Sequence, residues 1–152
     1  MKNIKYFIIM GLLLIFVSGC GQNNIEGDLD TIMSKLYEGI DSDNLSDLEN
    51  IEVDSENQDY YIGDVSFKYD NALASEPVMS SVAHSVVLIR VKDTKDIEKY
   101  KSEIKEKVDP EKWVCVSVDK KNVYVESIGD LILLVMDDEN GKTIRDNFLK
   151  LK

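Results

Sequence analysis

The sequence predicts an α+β fold in which a four-stranded, mostly antiparallel sheet carries helices packed on one face. Three observations indicate this class. Apolar residues recur with helical spacing on both sides of an apolar run at 85–91. Short polar turns separate further apolar runs near the C-terminus, as in an antiparallel meander. The chain that follows a short N-terminal apolar segment has the length of one domain, which we place at 28–152.

The clearest helix is predicted over 28–40. Its apolar residues form one continuous stripe at helical spacing, made of Leu29, Ile32, Met33, Leu36, Tyr37 and Ile40. Asp28 is a suitable N-cap. Since an exposed apolar stripe of this size would promote aggregation, we expect it to face the core rather than a partner.

Residues 41–59 are acidic and rich in Asn and Ser, which predicts a solvated connector with one brief ordered piece. Their acidic spacing resembles an EF-hand loop. However, Leu45 stands at a ligand position and Ser46 replaces the glycine that the sharp turn requires. We therefore expect no metal ion here, and no cofactor elsewhere in the chain.

Residues 60–77 are rich in aromatic and β-prone side chains, and 70–75 allows a helical turn before Pro77 ends it. Tyr60, Tyr61 and Phe67 have two interpretations. They either line a groove for a sugar or a peptide, or pack a loop onto the core.

The remaining elements are predicted in the order β-α-β-β-β-α. A central strand at 82–91 precedes a helix at 94–108 with a mixed-charge outer face. Strands at 113–118, 123–127 and 131–136 follow, and a last helix begins after Gly141. Cys115 lies within the first of these strands, where a lone cysteine is expected to be a small buried hydrophobe without a nucleophilic role.

The one histidine of the chain, His84, is followed directly by Ser85. Neighbouring residues of a strand point to opposite faces of the sheet, so His84 is not placed to activate the hydroxyl of Ser85. The sequence also has no Gly-x-Ser-x-Gly elbow. We therefore predict no catalytic residue, and keep a hydrolase that uses Ser81 or Ser85 with His84 as the weakest alternative.

The N-terminal segment predicts export and lipidation. Lys2 and Lys5 precede an apolar run at 6–17, which is shorter than the ~20 residues of a membrane span and suits a signal-peptide core. The run ends in Val-Ser-Gly-Cys, which resembles the lipobox Leu-(Ala/Ser)-(Gly/Ala)-Cys with Val17 in place of leucine. We predict a signal peptide over 1–19, fatty acylation of Cys20 and a tether over 20–27. The alternative is an uncleaved anchor helix.

The net negative charge of the mature chain limits which partners it can bind. Cleavage before Cys20 removes Lys2 and Lys5, which leaves 16 Lys and Arg against 29 Asp and Glu and lowers the formal net charge from −11 to −13. Phosphates and anionic lipids would repel such a body, so we expect no nucleic acid partner and no broad contact with the membrane surface.

Besides the lipobox, the stretches 28–40, 74–90 (ASEPVMSSVAHSVVLIR), 109–113 (DPEKW) and 128–131 (IGDL) carry a likeness to known sequences. Together they resemble a family of small lipoproteins of Gram-positive bacteria that carry one domain of unknown function. The resemblance implies one domain and transfers no catalytic residue.

We place a candidate binding surface partly within these stretches and partly in the aromatic segment at 60–67. It comprises Glu76, Pro77, His84 and Trp113, together with Tyr60, Tyr61 and Phe67. The alternative for these residues is a packed sheet edge and turn.

The sequence therefore predicts a lipid-anchored protein on the extracytoplasmic face of the cell membrane. We expect a non-enzymatic binding or accessory module of the cell envelope, with an envelope protein as its partner. A binder of a small ligand is the alternative.

Overall fold

One open antiparallel sheet organises the fold. The computed structural model describes residues 24–41 and 47–151. In these ranges the strands are β1 Leu48–Glu52, β2 Tyr69–Pro77, β3 Ser85–Val91, β4 Val123–Ile128 and β5 Leu131–Met136. The helices are α1 Leu29–Leu36, α2 Gln58–Tyr61, α3 Ile97–Lys107 and α4 Gly141–Leu149. The strand order is β1-β2-β3-β5-β4, so the α+β class is confirmed, with five strands instead of the predicted four.

β3 is the centre of the sheet and is buried on both faces. Its alternate residues Val86 and Leu88 face one hydrophobic cluster, whereas Val87 and Ile89 face the other. All four are fully buried. This explains why the sequence of β3 is an almost unbroken apolar run rather than an alternating one.

Helices cover both faces, so the prediction of helices on one face is wrong. α1 and α4 supply the buried residues Ile32 and Phe148 to the cluster that contains Val86. α3 supplies Ile104 to the cluster that contains Val87. Because the central strands are apolar on both sides, each face needs a cover to exclude water.

α1 begins as predicted and ends earlier. The Oδ1 atom of Asp28 accepts a hydrogen bond from the Thr31 amide at 2.8 Å, which caps the helix. The helix ends at Leu36, before the predicted 40, and Gly39 follows with a positive φ of 77°. The side-chain amide of Asn147 on α4 donates to the carbonyl oxygens of Leu36 and Glu38. This contact joins the two helices that cover one face.

The segment 113–118 is a loop, so the predicted strand there is wrong. Trp113 and Val118 are buried, but Cys115 between them is exposed and has a φ of 63°. The expected burial of Cys115 is therefore also wrong. Both edges of β3 are already occupied, by β2 and β5, which leaves this segment no place beside the central strand.

Two strands come from regions that the sequence left irregular. β1 lies in the segment interpreted as an acidic connector, and β2 spans the proposed helical turn at 70–75, which is wrong. The alternation of β1 is weak because it is an edge strand with mostly exposed side chains. The EF-hand-like positions Leu45 and Ser46, like Cys20 and the signal segment, lie outside the described residues.

The sheet has two distinct ends, about 20 Å apart along β3. At the first, which we call the loop end, β2 finishes at Pro77 and β3 begins at Ser85. At the second, the tether end, Arg90 pairs with Asp130 and donates to the carbonyl oxygens of Ile25 and Gly27, at 3.0 and 3.1 Å. Arg90 therefore fixes the entry of the chain at the end of the sheet opposite the loop end.

Candidate functional site

Buried polar side chains gather at the loop end, because the apolar part of each central strand stops there. Ser75, Glu76, His84, Ser85 and Asp137 are all buried. The alternation of β2 and β3 divides them between the two faces of the sheet. Glu76 and Ser85 lie on the side of α3, whereas Ser75 and His84 lie on the side of α1 and α4.

On the α3 side, a buried ion pair joins Lys112 to Glu76. The Nζ atom of Lys112 lies 2.7 Å from Oε1 of Glu76, and the two side chains are only 3% and 6% exposed. Nζ also lies 3.3 Å from the carbonyl oxygen of Tyr60 and 3.4 Å from Oγ of Ser85, so each ammonium hydrogen has an acceptor. Burial lowers the pKa of Lys112, and the charge of Glu76 opposes this only in part.

Aromatic rings surround the same ammonium group. Nζ of Lys112 lies 4.3 Å from the ring centre of Tyr60 and 5.1 Å from those of Tyr61 and Trp113. Such contacts stabilise a desolvated cation through the negative face of each ring. The loop that carries Lys112 is thereby fastened to α2 and β2.

The approach of α2 to α3 requires a glycine. Gly63 follows α2 with a φ of 79°, and a Cβ atom there would lie 2.6 Å from Cβ of Lys107. A side chain would therefore displace the turn that holds Tyr60 and Tyr61 in place.

On the opposite face, His84 links Tyr37 to Asp137. Nδ1 of His84 lies 2.6 Å from Oδ2 of Asp137, and Nε2 lies 2.9 Å from Oη of Tyr37. An ionised carboxylate only accepts, so Nδ1 donates to Asp137, and Nε2 shares a second hydrogen bond with the hydroxyl of Tyr37. The chain of contacts connects the end of α1 with the ends of β3 and β5.

The pKa of Asp137 lies below its ordinary value of 3.8. Burial alone would raise it, but the hydrogen bond from His84 and those from the amides of Asn140 and Glu139 together outweigh the burial. Asp137 is thus an ionised acceptor that also holds the start of α4.

This arrangement does not pair Ser85 with His84. Ser85 contacts Lys112 on one face while His84 contacts Tyr37 and Asp137 on the other, as the sequence predicted for neighbouring strand residues. Both ring nitrogens of His84 are occupied, and burial strongly raises the pKa of Tyr37, which keeps its phenol protonated. Within the described ranges, no group of three or more His, Cys, Asp and Glu side chains is arranged to hold a metal ion.

The structure brings most of the predicted binding residues together. Tyr60, Tyr61, Glu76, Pro77 and Trp113 line one cavity of about 300 Å³, which we call the aromatic cavity. His84 lines a second cavity of about 360 Å³ beyond the loop that follows β2, which we call the acidic cavity. Phe67 lines a third, separate cavity with Tyr69.

Exposed aliphatic side chains lie on the loops that border the first two cavities. Val78 and Met79 follow β2 and are 62% and 61% exposed, whereas Val114 and Val116 belong to the loop after Trp113 and are 59% and 37% exposed. The Val114 amide donates to the carbonyl oxygen of Ser80 at 2.9 Å, which joins the two loops. These four side chains form the loop-end patch.

The sequence did not single out several residues of this region. Tyr37 was assigned to the core stripe, and Lys112, Asp137 and the aliphatic residues of the patch were given no role. One usable signal was present for Asp137, since it stands where the apolar run of β5 meets a turn. The pairing of Lys112 with Glu76 had no such signal, because it depends on how a loop folds back.

Comparisons with known protein families, curated proteins and solved structures found no match. The lipoprotein family suggested by the sequence therefore stays a prediction. Among the described residues, no helix has the length and apolar composition needed to cross a bilayer.

Replacing Glu76 by leucine should destabilise the protein by about 3 kcal/mol, because it leaves the ammonium of Lys112 buried without a counter-charge. A second replacement, Lys112→Met, should restore at least half of the loss, since the pair is then apolar. Urea unfolding of both variants measures the difference.

The exposed pair of Lys92 and Asp70 provides the control for this pair. Asp70→Asn should cost less than about 1 kcal/mol, because both side chains are solvated. A double variant that is less stable than Glu76→Leu alone would contradict our account of the buried pair.

Asp137→Asn should destabilise the protein by about 2 kcal/mol at neutral pH. The folded pKa of Asp137 is depressed, so its carboxylate stabilises the fold above pH 3.8, and this contribution is lost as the pH falls through the folded pKa. The gap in unfolding free energy between variant and native protein should therefore shrink on acidification, as urea unfolding at several pH values would measure.

Glu56→Gln removes an exposed carboxylate and serves as the control, with a gap close to zero at every pH. A gap for Asp137→Asn that stays constant from neutral to acid pH would show that the carboxylate charge has no part in stability.

Proposed function

We propose that this protein is a lipid-anchored binding module of the cell envelope, which holds the loop end of its sheet away from the membrane. The lipobox-like Val-Ser-Gly-Cys supports anchoring through acylated Cys20. The acidic composition supports a body that does not lie on anionic lipid.

The observation that carries this proposal is the position of Arg90. Arg90 binds the backbone of Ile25 and Gly27 at the tether end. From Cys20 to Ile25 the chain spans at most ~18 Å, so a lipid on Cys20 would keep the tether end close to the bilayer. The exposed patch at the loop end would then point outward, where other envelope proteins are within reach.

A small-ligand binder is the second candidate. The aromatic cavity, at about 300 Å³, is at the lower limit for a ligand site, and three aromatic rings line it. However, the ammonium of Lys112 already occupies the space against these rings. The hydrolase alternative has no supporting observation, because His84 has no nitrogen left to activate a serine.

Cys20→Ser should abolish incorporation of labelled fatty acid and release the protein from the membrane fraction, because the serine hydroxyl does not replace the thiol as acyl acceptor. Metabolic labelling with a fatty acid analogue, followed by fractionation, measures both effects. Cys115→Ser is the matched control, since that thiol is exposed but lies in no lipobox. Fatty acid uptake by the Cys20→Ser variant would refute the anchor.

A photo-crosslinking amino acid at position 79 of the full-length protein should capture an envelope protein in living cells. The same group at position 71, an exposed site near the tether end, should capture lipid or nothing specific. Capture of the same proteins from both positions would argue against the loop end as the specific binding surface. Capture of none from position 79 would favour the small-ligand candidate.

A further inference from the structure

We infer that the loop-end patch binds an aliphatic, positively charged segment of a protein partner. This inference rests on the proposed binding function and specifies the chemistry of the partner.

The apolar part of the surface is concentrated at one end of the molecule. In the described ranges, the exposed large hydrophobic residues are the four aliphatic residues of the loop-end patch and Tyr60. Tyr60 lines the aromatic cavity together with Val78. Exposed apolar side chains that cluster on ordered loops are typical of interaction sites rather than of random surface.

The loops that carry the patch are held in place. Backbone hydrogen bonds join Val114 to Ser80 and Val78 to Asp47, each at 2.9 Å. The buried ion pair of Lys112 and Glu76 fastens the loop that carries Val114 and Val116 to β2. A partner would therefore meet a preformed surface and lose little free energy to loop ordering.

The surroundings of the patch are negatively charged. Val78 borders the aromatic cavity, whose lining includes the exposed carboxylate of Glu49. Val116 borders the acidic cavity, whose lining includes the exposed carboxylates of Asp138 and Glu139. Neither lining contains a lysine or an arginine, and Lys112 beneath the aromatic cavity is buried and neutralised by Glu76.

Charge complementarity selects the occupant. A segment with aliphatic side chains would cover the patch, and its lysine or arginine side chains would face the carboxylates on either side. A second copy of this chain would bring two acidic rims together. An anionic lipid surface is disfavoured by the same charges and lies at the opposite end of the sheet.

The test uses the full-length protein in vesicles of phosphatidylcholine, which carry no net charge. The probe is a short peptide of alternating leucine and lysine. Trp113 is the only tryptophan of the chain and lines the aromatic cavity, so its emission reports binding at this end. The matched peptides replace every leucine by serine, or every lysine by glutamate.

We expect the leucine–lysine peptide to bind and the two matched peptides to bind at least about tenfold more weakly. Met79→Ser and Val114→Ser should each weaken binding about fivefold, because each removes apolar contact without changing charge. Glu49→Gln and Glu139→Gln should weaken it about twofold each and reduce its dependence on salt.

Two substitutions away from the patch are the controls. Asn71→Ser changes an exposed residue near the tether end, and Glu106→Gln removes an exposed carboxylate from α3. Neither should change the affinity. Attachment of the peptide to the vesicles is the same for every variant, so differences between variants report the protein.

Equal binding of the serine–lysine peptide, or an affinity that Met79→Ser and Val114→Ser leave unchanged, would overturn the inference. So would self-association of the full-length protein that Met79→Ser weakens, because the occupant would then be a second copy. These results would leave the binding function itself standing if crosslinking from position 79 still captured a partner. Crosslinking that fails at position 79 would refute both.

Discussion

The burial of β3 on both faces is the constraint on which the rest of the structure depends. A strand whose successive side chains are all apolar loses contact with water only if something packs on each side. The chain meets this need with α3 on one face and with α1 and α4 on the other. No room for polar groups is left in the middle of the sheet. His84 and Ser85 therefore stand at one end of β3 and Arg90 at the other.

The two ends of β3 then serve different purposes. At the tether end, one guanidinium group satisfies two backbone carbonyl oxygens and a carboxylate, which fixes where the chain enters the sheet. At the loop end, two buried polar networks lie on opposite faces and hold the loops that carry the exposed aliphatic residues. Both networks act as supports, since their polar atoms are occupied by one another.

Local patterns predicted those parts of the fold that have strong periodicity. The stripe of α1, the apolar run of β3 and the apolar run of β5 all became the elements expected of them. β1 was missed because an edge strand is mostly exposed. β2 was missed because its first three residues are not buried and its buried remainder includes the polar residues Ser75 and Glu76. The segment at 113–118 alternates like a strand, but alternation does not say whether a sheet edge is free to receive it.

The candidate site was predictable only where it touches strand ends. Glu76, Pro77, Trp113, Tyr60 and Tyr61 were placed on one surface from the sequence and line one cavity in the structure. Phe67 lies apart, because the turn after α2 directs it toward Tyr100, on which it stacks. Lys112 and Tyr37 depend on contacts between residues that are far apart in the chain, and no local pattern encodes such contacts.

The pairing of β3 with β5 has a consequence for how the chain folds. It joins Ser85 to Met136, and everything between them must be present before the middle of the sheet can close. Folds dominated by such distant contacts form slowly, on a timescale of about milliseconds to seconds. The middle of the sheet of a nascent chain could thus not close until its C-terminal region had been synthesised. If the chain is exported as proposed, that delay gives a translocation channel time to take it up while it is still extended.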